Sequence, residues 1–349
     1  MDKPRVIITS RLEQDLALSL TECAHDRLFI LTDDNTARLC WPVISGFIGL
    51  RHASLITIPA SDAHKDLTSL SHVWQELSRQ GATRHSCLIC LGGGMVTDLG
   101  GFAAATFKRG IPFINLPTTL LAMVDASVGG KTGINFLGLK NEIGVFRQAE
   151  FTLIHTPFLS TLDTPNLCSG YAEMLKHGLL SDDDTWADLL NFDLGAPDLD
   201  LLSRMVADSV AVKERIVMAD PLEHGIRKAL NLGHTIGHAI ESWQLSQGQP
   251  ILHGYAVAYG LVAELYLSST LCGFPTSKLH ATARFIREVY GTPAIECKAY
   301  PTLLQLMRHD KKNIGDTINF TLLSDVGQVL INQSATDTDI QDALDFLLF

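Results

Sequence analysis

Positive charge is scarce in this 349-residue chain: 27 Lys and Arg against 38 Asp and Glu leave a formal net charge of −11. A phosphate backbone needs a basic face, so nucleic acid is not an expected partner. No apolar run approaches the length of a membrane span. The opening MDKPRVIITSRLEQDL passes from a short apolar stretch straight into charge, without the apolar core and small-residue cleavage site of a secretory signal. The seven cysteines (Cys23, Cys40, Cys87, Cys90, Cys168, Cys272, Cys297) are odd in number and scattered, which predicts reduced thiols and a cytoplasmic protein. Cys87 and Cys90 form a CxxC, but inside the apolar run SCLICLGGG and without a second pair. A buried strand is the expectation there, not a redox or zinc site. Repeats, low-complexity tracts and long linkers are also missing.

What is present is an ordinary globular composition, 46% hydrophobic and 19% charged, at a length that suits two domains or one large one. The segments RVIITS, RLFILTD, SLITIP, SCLICLGGG, PFINLP and EFTLIHTP read as short strands, with helical stretches such as LTSLSHVWQELSRQ between some of them. This is the pattern of a mainly parallel α/β sheet. After about Pro157 long helical patterns take over, at Ser169 to Leu180, Leu199 to Ala219, Ala229 to Trp243, Tyr255 to Leu271 and Thr276 to Tyr290, with one hairpin near INFTLLSDVGQVLI. The expected architecture is an α/β N-terminal dinucleotide-binding domain over residues 1–157, followed by a mostly α-helical C-terminal domain over residues 158–349.

In so acidic a chain the placement of the cations is informative. Lys131, Lys140, Lys176, Lys213, Arg227 and Lys311 stand beside glycine, asparagine or histidine motifs, not in solvated charge runs. An acidic small molecule is the expected ligand. The segment NLGHTIGHAIE places His234 and His238 four apart, on one face of a helix, and His253 in LHGYAVAYG and Glu173 in SGYAEMLKHG add an imidazole and a carboxylate. Three such groups suit a divalent metal and leave a coordination position free for water or substrate. Thr235 stands where a zinc protease helix carries glutamate, so peptide hydrolysis is not expected.

Two glycine motifs complete the picture. LGGGMVTDLGGFAAA reads as strand, glycine turn and helix, a place for a pyrophosphate at Gly92, Gly93 and Gly94, although Thr97 fills the third glycine position of a full dinucleotide fingerprint. Asp33 and Asn35 end one strand, where a ribose edge could bind, and Asp62 and Lys65 end another. PTTLLAMVDASVGGKTGIN has Asp125 where a nucleotide-hydrolysing phosphate loop needs glycine, so what remains is a glycine loop presenting Lys131, joined by Lys140 and Asn141 of GLKNEIG.

Taken in order, GGGxxxD, FxRG, PTTLLAxVDxSxGGKT, LKNxIG, AExxKxG, GxRxxLNxGHTxGHAIE, LHGxAV and DKKN resemble the 3-dehydroquinate synthase family of sugar phosphate cyclases over nearly the whole chain. The resemblance implies NAD+, one Zn2+ or Co2+ ion, and a homodimer. It implies Glu173, His234 and His253 as metal ligands, with His238 facing substrate instead. It places NAD+ against Asp33, Asn35, Asp62, Lys65, Gly94, Met95, Val96, Thr97, Asp98, Thr118, Thr119, Lys131, Lys140, Phe158, Leu159, Ser160 and Thr161. For substrate it implies Arg109, Asp125, Lys131, Asn141, Lys176, Lys213, Arg227, Asn231, His238 and Lys311, with Lys312 as the neighbouring alternative. The implied reaction turns 3-deoxy-D-arabino-heptulosonate 7-phosphate into 3-dehydroquinate and phosphate. One departure stands out: after the His253–Gly254 pair the family commonly has glutamate, and here Tyr255 follows.

Two neighbouring activities share parts of this pattern. A cyclase whose phosphorylated sugar lacks a carboxylate would not need Lys213, Arg227, Asn231 and His238 together. A metal-dependent polyol dehydrogenase would share the glycine turn but not the phosphate cradle of GGKT and LKN. A regulatory NAD-binding protein without turnover would have no use for intact metal ligands.

Overall fold

The computed structural model describes residues 5–137, 139–308 and 318–348. They form two compact units, one of the described residues up to 163 with 199–210 and one of residues 164–198 with the described residues from 211 on.

The first unit holds strands β1 (Arg5–Ile8), β2 (Leu28–Asp33), β3 (Ser54–Ile58), β4 (Cys87–Gly92), β5 (Phe113–Pro117), β6 (Lys131–Phe136), β7 (Leu139–Phe146) and β8 (Phe151–Ile154). Its helices are α1 (Leu12–Glu22), α2 (Asp34–Leu39), α3 (Trp41–Ile44), α4 (Leu67–Arg79) and α5 (Gly94–Thr106). Six strands form one sheet in the order β1-β8-β5-β4-β2-β3, and every pair in it is parallel. These are the six segments read as strands from the sequence. A parallel sheet covered on both faces needs strands that are apolar throughout, and all six residues of β4 are buried. Cys87 and Cys90 accordingly sit inside this strand as free, fully buried thiols, and burial pushes the Cys90 thiol far up. Helix α4 shows the complementary rule. Asp66 caps it by accepting from Ser69 N at 2.8 Å, and Leu70, Val73 and Leu77 recur on the buried face.

Helix α5 lies close against the sheet because its glycines allow it. A Cβ at Gly100 would come within 2.4 Å of Cys90 Sγ, and one at Gly101 within 2.6 Å of Thr132 Cγ2. The chain leaves β2 for β3 on one side and β4 for β5 on the other, so the strand order reverses between β2 and β4. Ligands of doubly wound sheets bind outside the carboxyl ends of strands at such a point. The expected glycine loop is present at Gly129 and Gly130, both at positive φ, and Lys131 directly after it opens an antiparallel hairpin, β6–β7, in which Gly133 stands opposite Gly144. A Cβ at either residue would lie within 2.5 Å of the facing backbone, so the glycines set the strand spacing.

The second unit is mostly helical: α6 (Thr164–Leu179), α7 (Asp183–Asn191), the later part of α8 (Leu199–Ala219), α9 (His234–Ser246), α10 (His253–Cys272), α11 (Thr276–Tyr290), α12 (Tyr300–Arg308) and α13 (Asp337–Leu348). The antiparallel pair β9 (Phe320–Asp325) and β10 (Gln328–Gln333) is the hairpin expected there. Helix α10 is its axis, packed against α6, α9, α11, α13 and β9. The helix expected from Ala229 is broken: a 3-10 turn spans Ile226–Asn231, Gly233 adopts φ +79°, and α9 begins at His234. The expected architecture, an α/β part followed by a helical part, is the one observed.

Candidate active site

In the first unit the residues marked for a dinucleotide gather at one edge of the sheet. Asp33 ends β2, Asp62 and Lys65 follow β3, Gly94 to Asp98 follow β4, Thr118 and Thr119 follow β5, and Phe158 to Thr161 follow β8. All are carboxyl ends. Helix α5 starts there with Gly93 as its N-cap and no side-chain cap, which leaves first-turn amides and the positive end of the helix dipole for an anion. The glycines themselves answer to packing. A Cβ at Gly92 would meet Val96 at 2.5 Å, at Gly93 Thr119 at 3.0 Å, and at Gly94 Ala126 at 3.1 Å.

Charge around this edge is organised by Lys65, which is 5% exposed. Its Nζ donates to Asp98 Oδ2 at 2.8 Å and lies 3.9 Å from Asp62 Oδ1. Burial raises the Asp98 carboxyl, and Lys65 counters that shift. Asp62 also meets Lys140 Nζ at 3.4 Å. Asn135, which carried no sequence signal beyond closing its motif, ties the hairpin to this group. Its amide donates to Asp62 O at 3.0 Å, its backbone N to Lys65 O at 2.7 Å, and its Oδ1 accepts from Asn141 N at 2.9 Å. Asp62, Lys65, Asp98, Lys140 and Asn141 therefore form one connected set. Lys131 opens β6 on the same hairpin, and Asp125 lies in the turn Ala122–Ala126 after β5. Asp33 has a local role as well, capping α2 by accepting from Thr36 N at 2.8 Å, with Asn35 exposed in the first turn. Thr161 donates to Phe158 O at 2.7 Å and Ser160 to Pro157 O at 2.7 Å, which fixes that turn. Arg109 is not brought to this edge: it follows the C-terminal end of α5, before β5 begins, with φ +72° and an exposed side chain.

In the second unit Glu173 of α6, His234 and His238 of α9 and His253 of α10 converge. Glycines let the three helices approach. A Cβ at Gly254 would fall 1.8 Å from Ser169 O on α6, one at Gly260 1.9 Å from Gly233 O, and one at Gly237 2.8 Å from Ala256 O. Glu173 is fully buried, with His234 Nε2 3.3 Å and His253 Nε2 3.5 Å from Oε1 and the Lys176 ammonium against Oε2. Despite these neighbours, neither carboxylate oxygen has a hydrogen bond of good geometry. One nitrogen from each of His234, His238 and His253 lies within 4.8 Å of the others. A buried carboxylate with lone pairs unused and imidazole nitrogens facing it is a donor set that fits a divalent metal.

The electrostatics agree. Burial lowers His234 to about 3, against the pull of Glu173, and so keeps the imidazole neutral as a ligand must be. Burial opposes charge on His253 too, but Glu173 and Glu241 outweigh it and raise this group to about 10. Burial alone would raise Glu173, but Lys176, His234 and His253 hold it well below the usual carboxylate range. Two carboxylates here call for positive charge, which a divalent cation would supply in place of the His253 proton. His234 Nδ1 bonds Leu232 O at 3.0 Å and His253 Nδ1 bonds Glu241 Oε2 at 3.2 Å, so each ring has Nε2 turned toward Glu173. Glu241 escaped the sequence reading although a signal was there: it follows His234 by seven residues, on the same helical face.

The turn before α9 carries further cations. Asp220 accepts from His224 N, Gly225 N and Arg227 N at 3.0, 2.6 and 3.1 Å, and these bonds lower its carboxyl. The loop so formed buries Arg227, whose Nη1 donates to Pro221 O, while Asn231 Nδ2 donates to Glu223 Oε1 at 3.2 Å. Lys213 is buried on α8. Lys311 and Lys312 lie outside the described residues.

Comparison with solved structures first defines the class. The chain matches 2-deoxy-scyllo-inosose synthase, in a complex with carbaglucose-6-phosphate, NAD+ and Co2+, with a TM-score of 0.85 at 20% identity over 98% of this chain and 96% of that one. It matches 2-epi-5-epi-valiolone synthase from Streptomyces hygroscopicus, with NAD+ and Zn2+ bound, with a TM-score of 0.84 at 24% identity over 99% and 97%. An NADH-dependent butanol dehydrogenase from Thermotoga maritima follows at 0.70 and 10% identity, over 100% and 98%. The fold is that of the sugar phosphate cyclases, shared more loosely with dehydrogenases.

Sequence comparison narrows the class. The 3-dehydroquinate synthase N-terminal model matches residues 55–169 and the 3-dehydroquinate synthase C-terminal model residues 170–313. A 3-dehydroquinate synthase of Parabacteroides distasonis is 52% identical over 346 residues, 99% of this chain and 98% of that protein. One of Salinibacter ruber is 38% identical over 331 residues, 93% and 89%. The chain belongs to the 3-dehydroquinate synthase family.

Proposed function

We propose that this chain catalyses the reaction of its family, the conversion of 3-deoxy-D-arabino-heptulosonate 7-phosphate to 3-dehydroquinate and phosphate, with NAD+ and one Zn2+ or Co2+ ion. The observation that carries the reading is the convergence of Glu173, His234 and His253 on three helices in a chain 52% identical to a 3-dehydroquinate synthase over nearly its full length. Bound NAD+ would accept a hydride from the ring carbon that bears a hydroxyl, the hydroxyl losing its proton, and would return the hydride later, and the metal would polarise that oxygen as a Lewis acid.

The residues would divide the work. Glu173, His234 and His253 would hold the metal, with Glu241 orienting His253. Residues 1–157 would carry most of the NAD+ site, at the sheet edge that gathers Asp33, Asn35, Asp62, Lys65, Gly94 to Asp98, Thr118, Thr119 and Lys140, with Phe158 to Thr161 completing it from just beyond that range. Residues 158–349 would supply the metal and most of the substrate contacts. Lys131 and Asn141 would bind the phosphate without Arg109, which lies at the other end of α5, and Lys176, Lys213 and Arg227 would bind the substrate carboxylate and hydroxyls. Oxidation acidifies the neighbouring C–H. One of the substrate's own phosphate oxygens can remove that proton as phosphate leaves, so the protein needs no dedicated base for the step. Reduction, ring opening and an intramolecular aldol close the carbocycle, and the protein contributes orientation and charge stabilisation.

A homodimer and a cytoplasmic setting belong to the same proposal. The dimer is supported by the apolar side chains exposed on the β6–β7 hairpin, including Leu139, Ile143 and Phe146. Sedimentation of the purified protein measures it. The catalytic reading is tested by supplying the heptulosonate phosphate, NAD+ and Zn2+ and following phosphate. Release that requires all three supports the reading, and none under any metal contradicts it.

A further inference from the structure

Helix α10 contains a single carboxylate, Glu264, and it is fully buried among mainly apolar residues. A buried carboxylate is costly unless hydrogen bonds hold it. We propose that Glu264 is a positioning residue for the metal ligand His234, acting through the peptide group that joins Leu232 to Gly233.

The geometry is continuous. Glu264 Oε2 accepts from Gly233 N at 2.6 Å, and on the other side of the same peptide unit Leu232 O receives His234 Nδ1 at 3.0 Å. Glu264 Oε1 accepts from Ile236 N at 3.0 Å. The carboxylate thus grips the backbone on both flanks of His234, and one of those grips lies in line with the ring nitrogen. Hydrogen bonds in series polarise one another, so a carboxylate behind the peptide strengthens the carbonyl that holds Nδ1–H and leaves Nε2 as the ligating nitrogen.

The local sequence explains why this cap comes from another helix. Helix α9 starts at His234, and its first-turn amides need acceptors. A serine, threonine or aspartate would normally supply one from the N-cap. Here the N-cap is Gly233 at φ +79°, where a Cβ would meet Leu261 at 2.9 Å, so no side chain fits. Gly260, one turn before Glu264, admits the Gly233 carbonyl against α10 and brings the carboxylate within reach. Glu264 follows His253 by eleven residues, three helical turns, and so lies on the face of α10 that also bears that ligand.

This inference rests on His234 being a metal ligand, and the experiment separates the two claims. Zn2+ affinity is measured by competition with a chromophoric chelator for the parent, Glu264→Gln, Glu264→Ala and His234→Ala proteins, with thermal unfolding of each metal-free protein alongside. The glutamine has nearly the shape of glutamate but cannot accept from both amides, so it decides the matter if the alanine variant does not fold. Both Glu264 variants are expected to bind Zn2+ roughly 10–100-fold more weakly, and His234→Ala to lose Zn2+. Loss of Zn2+ in His234→Ala with parental affinity in Glu264→Gln overturns the positioning role and leaves Glu264 as packing alone, whatever happens to the unfolding midpoint. Retention of Zn2+ by His234→Ala overturns the metal assignment, and this inference with it.

Discussion

At position 255 the side chain packs edge-on against Tyr290, ring centroids 5.1 Å apart, while the carboxylate on His253 Nδ1 comes from Glu241. The glutamate commonly found after the His–Gly pair is therefore not needed to orient the His253 ring. Glu241→Gln should weaken Zn2+ binding by about 10–100-fold, the usual effect of losing a carboxylate behind a ligating histidine. The same chelator competition checks it, and unchanged affinity would remove Glu241 from the site. The ligands themselves should differ in what else they cost. His234→Ala and His253→Ala should lose metal and turnover while folding normally. Glu173→Ala should also lose stability, on the order of 3 kcal/mol, because it takes the carboxylate from beside the buried Lys176 ammonium. Equal unfolding midpoints for all three metal-free variants would contradict that reading of the pair.

Among the elements, the close approach of α6, α9 and α10 determines whether Glu173, His234 and His253 meet at all. Gly260→Ala would place a Cβ 1.9 Å from Gly233 O, a backbone atom that cannot rotate aside. The helices must separate, at a cost of about 1–3 kcal/mol or more, and Zn2+ affinity should fall with stability. Gly46→Ala, with nothing within 4 Å of its added Cβ, is the control and should change neither. Thermal unfolding and chelator competition read both effects. Element type was legible wherever burial imposed a period: the six sheet strands are continuous apolar runs, and Leu199–Ala219 and Thr276–Tyr290 are helices with the expected ends. It was not legible at β6–β7. The loop at Gly129 and Gly130 was read, but not that Gly133 and Gly144 after it face each other across a hairpin whose second strand is exposed along its whole length. Histidine spacing pointed to His234 and His238 as a pair. The carboxylate that faces the imidazoles comes from α6, 61 residues before His234 in the sequence, and periodicity within one helix carries no information about that partner. Glu173 was legible only through its own motif, whereas Glu264 was silent, since its partners are backbone amides of another helix.

For the whole molecule, the fold does not decide between a cyclase and a dehydrogenase, because both share it at TM-scores of 0.85 and 0.70. The family does, through the 3-dehydroquinate synthase models that match residues 55–169 and 170–313. Two of the cations proposed to hold substrate belong to different settings, Lys131 at the start of an exposed hairpin and Arg227 in a loop built on Asp220. Lys131→Ala and Arg227→Ala should each cut turnover at least about 100-fold, the loss of a charge-assisted contact worth roughly 3 kcal/mol, while leaving Zn2+ bound. Parental phosphate release by both would show that the substrate is held elsewhere. The central claim is that one site borrows a hydride and returns it. Its most direct test follows phosphate and reduced nicotinamide together, with the heptulosonate phosphate in large excess over NAD+. The account predicts many phosphates released for each NAD+ supplied, a carbocyclic product and no NADH accumulating with turnover. One NADH formed for each substrate consumed would contradict it.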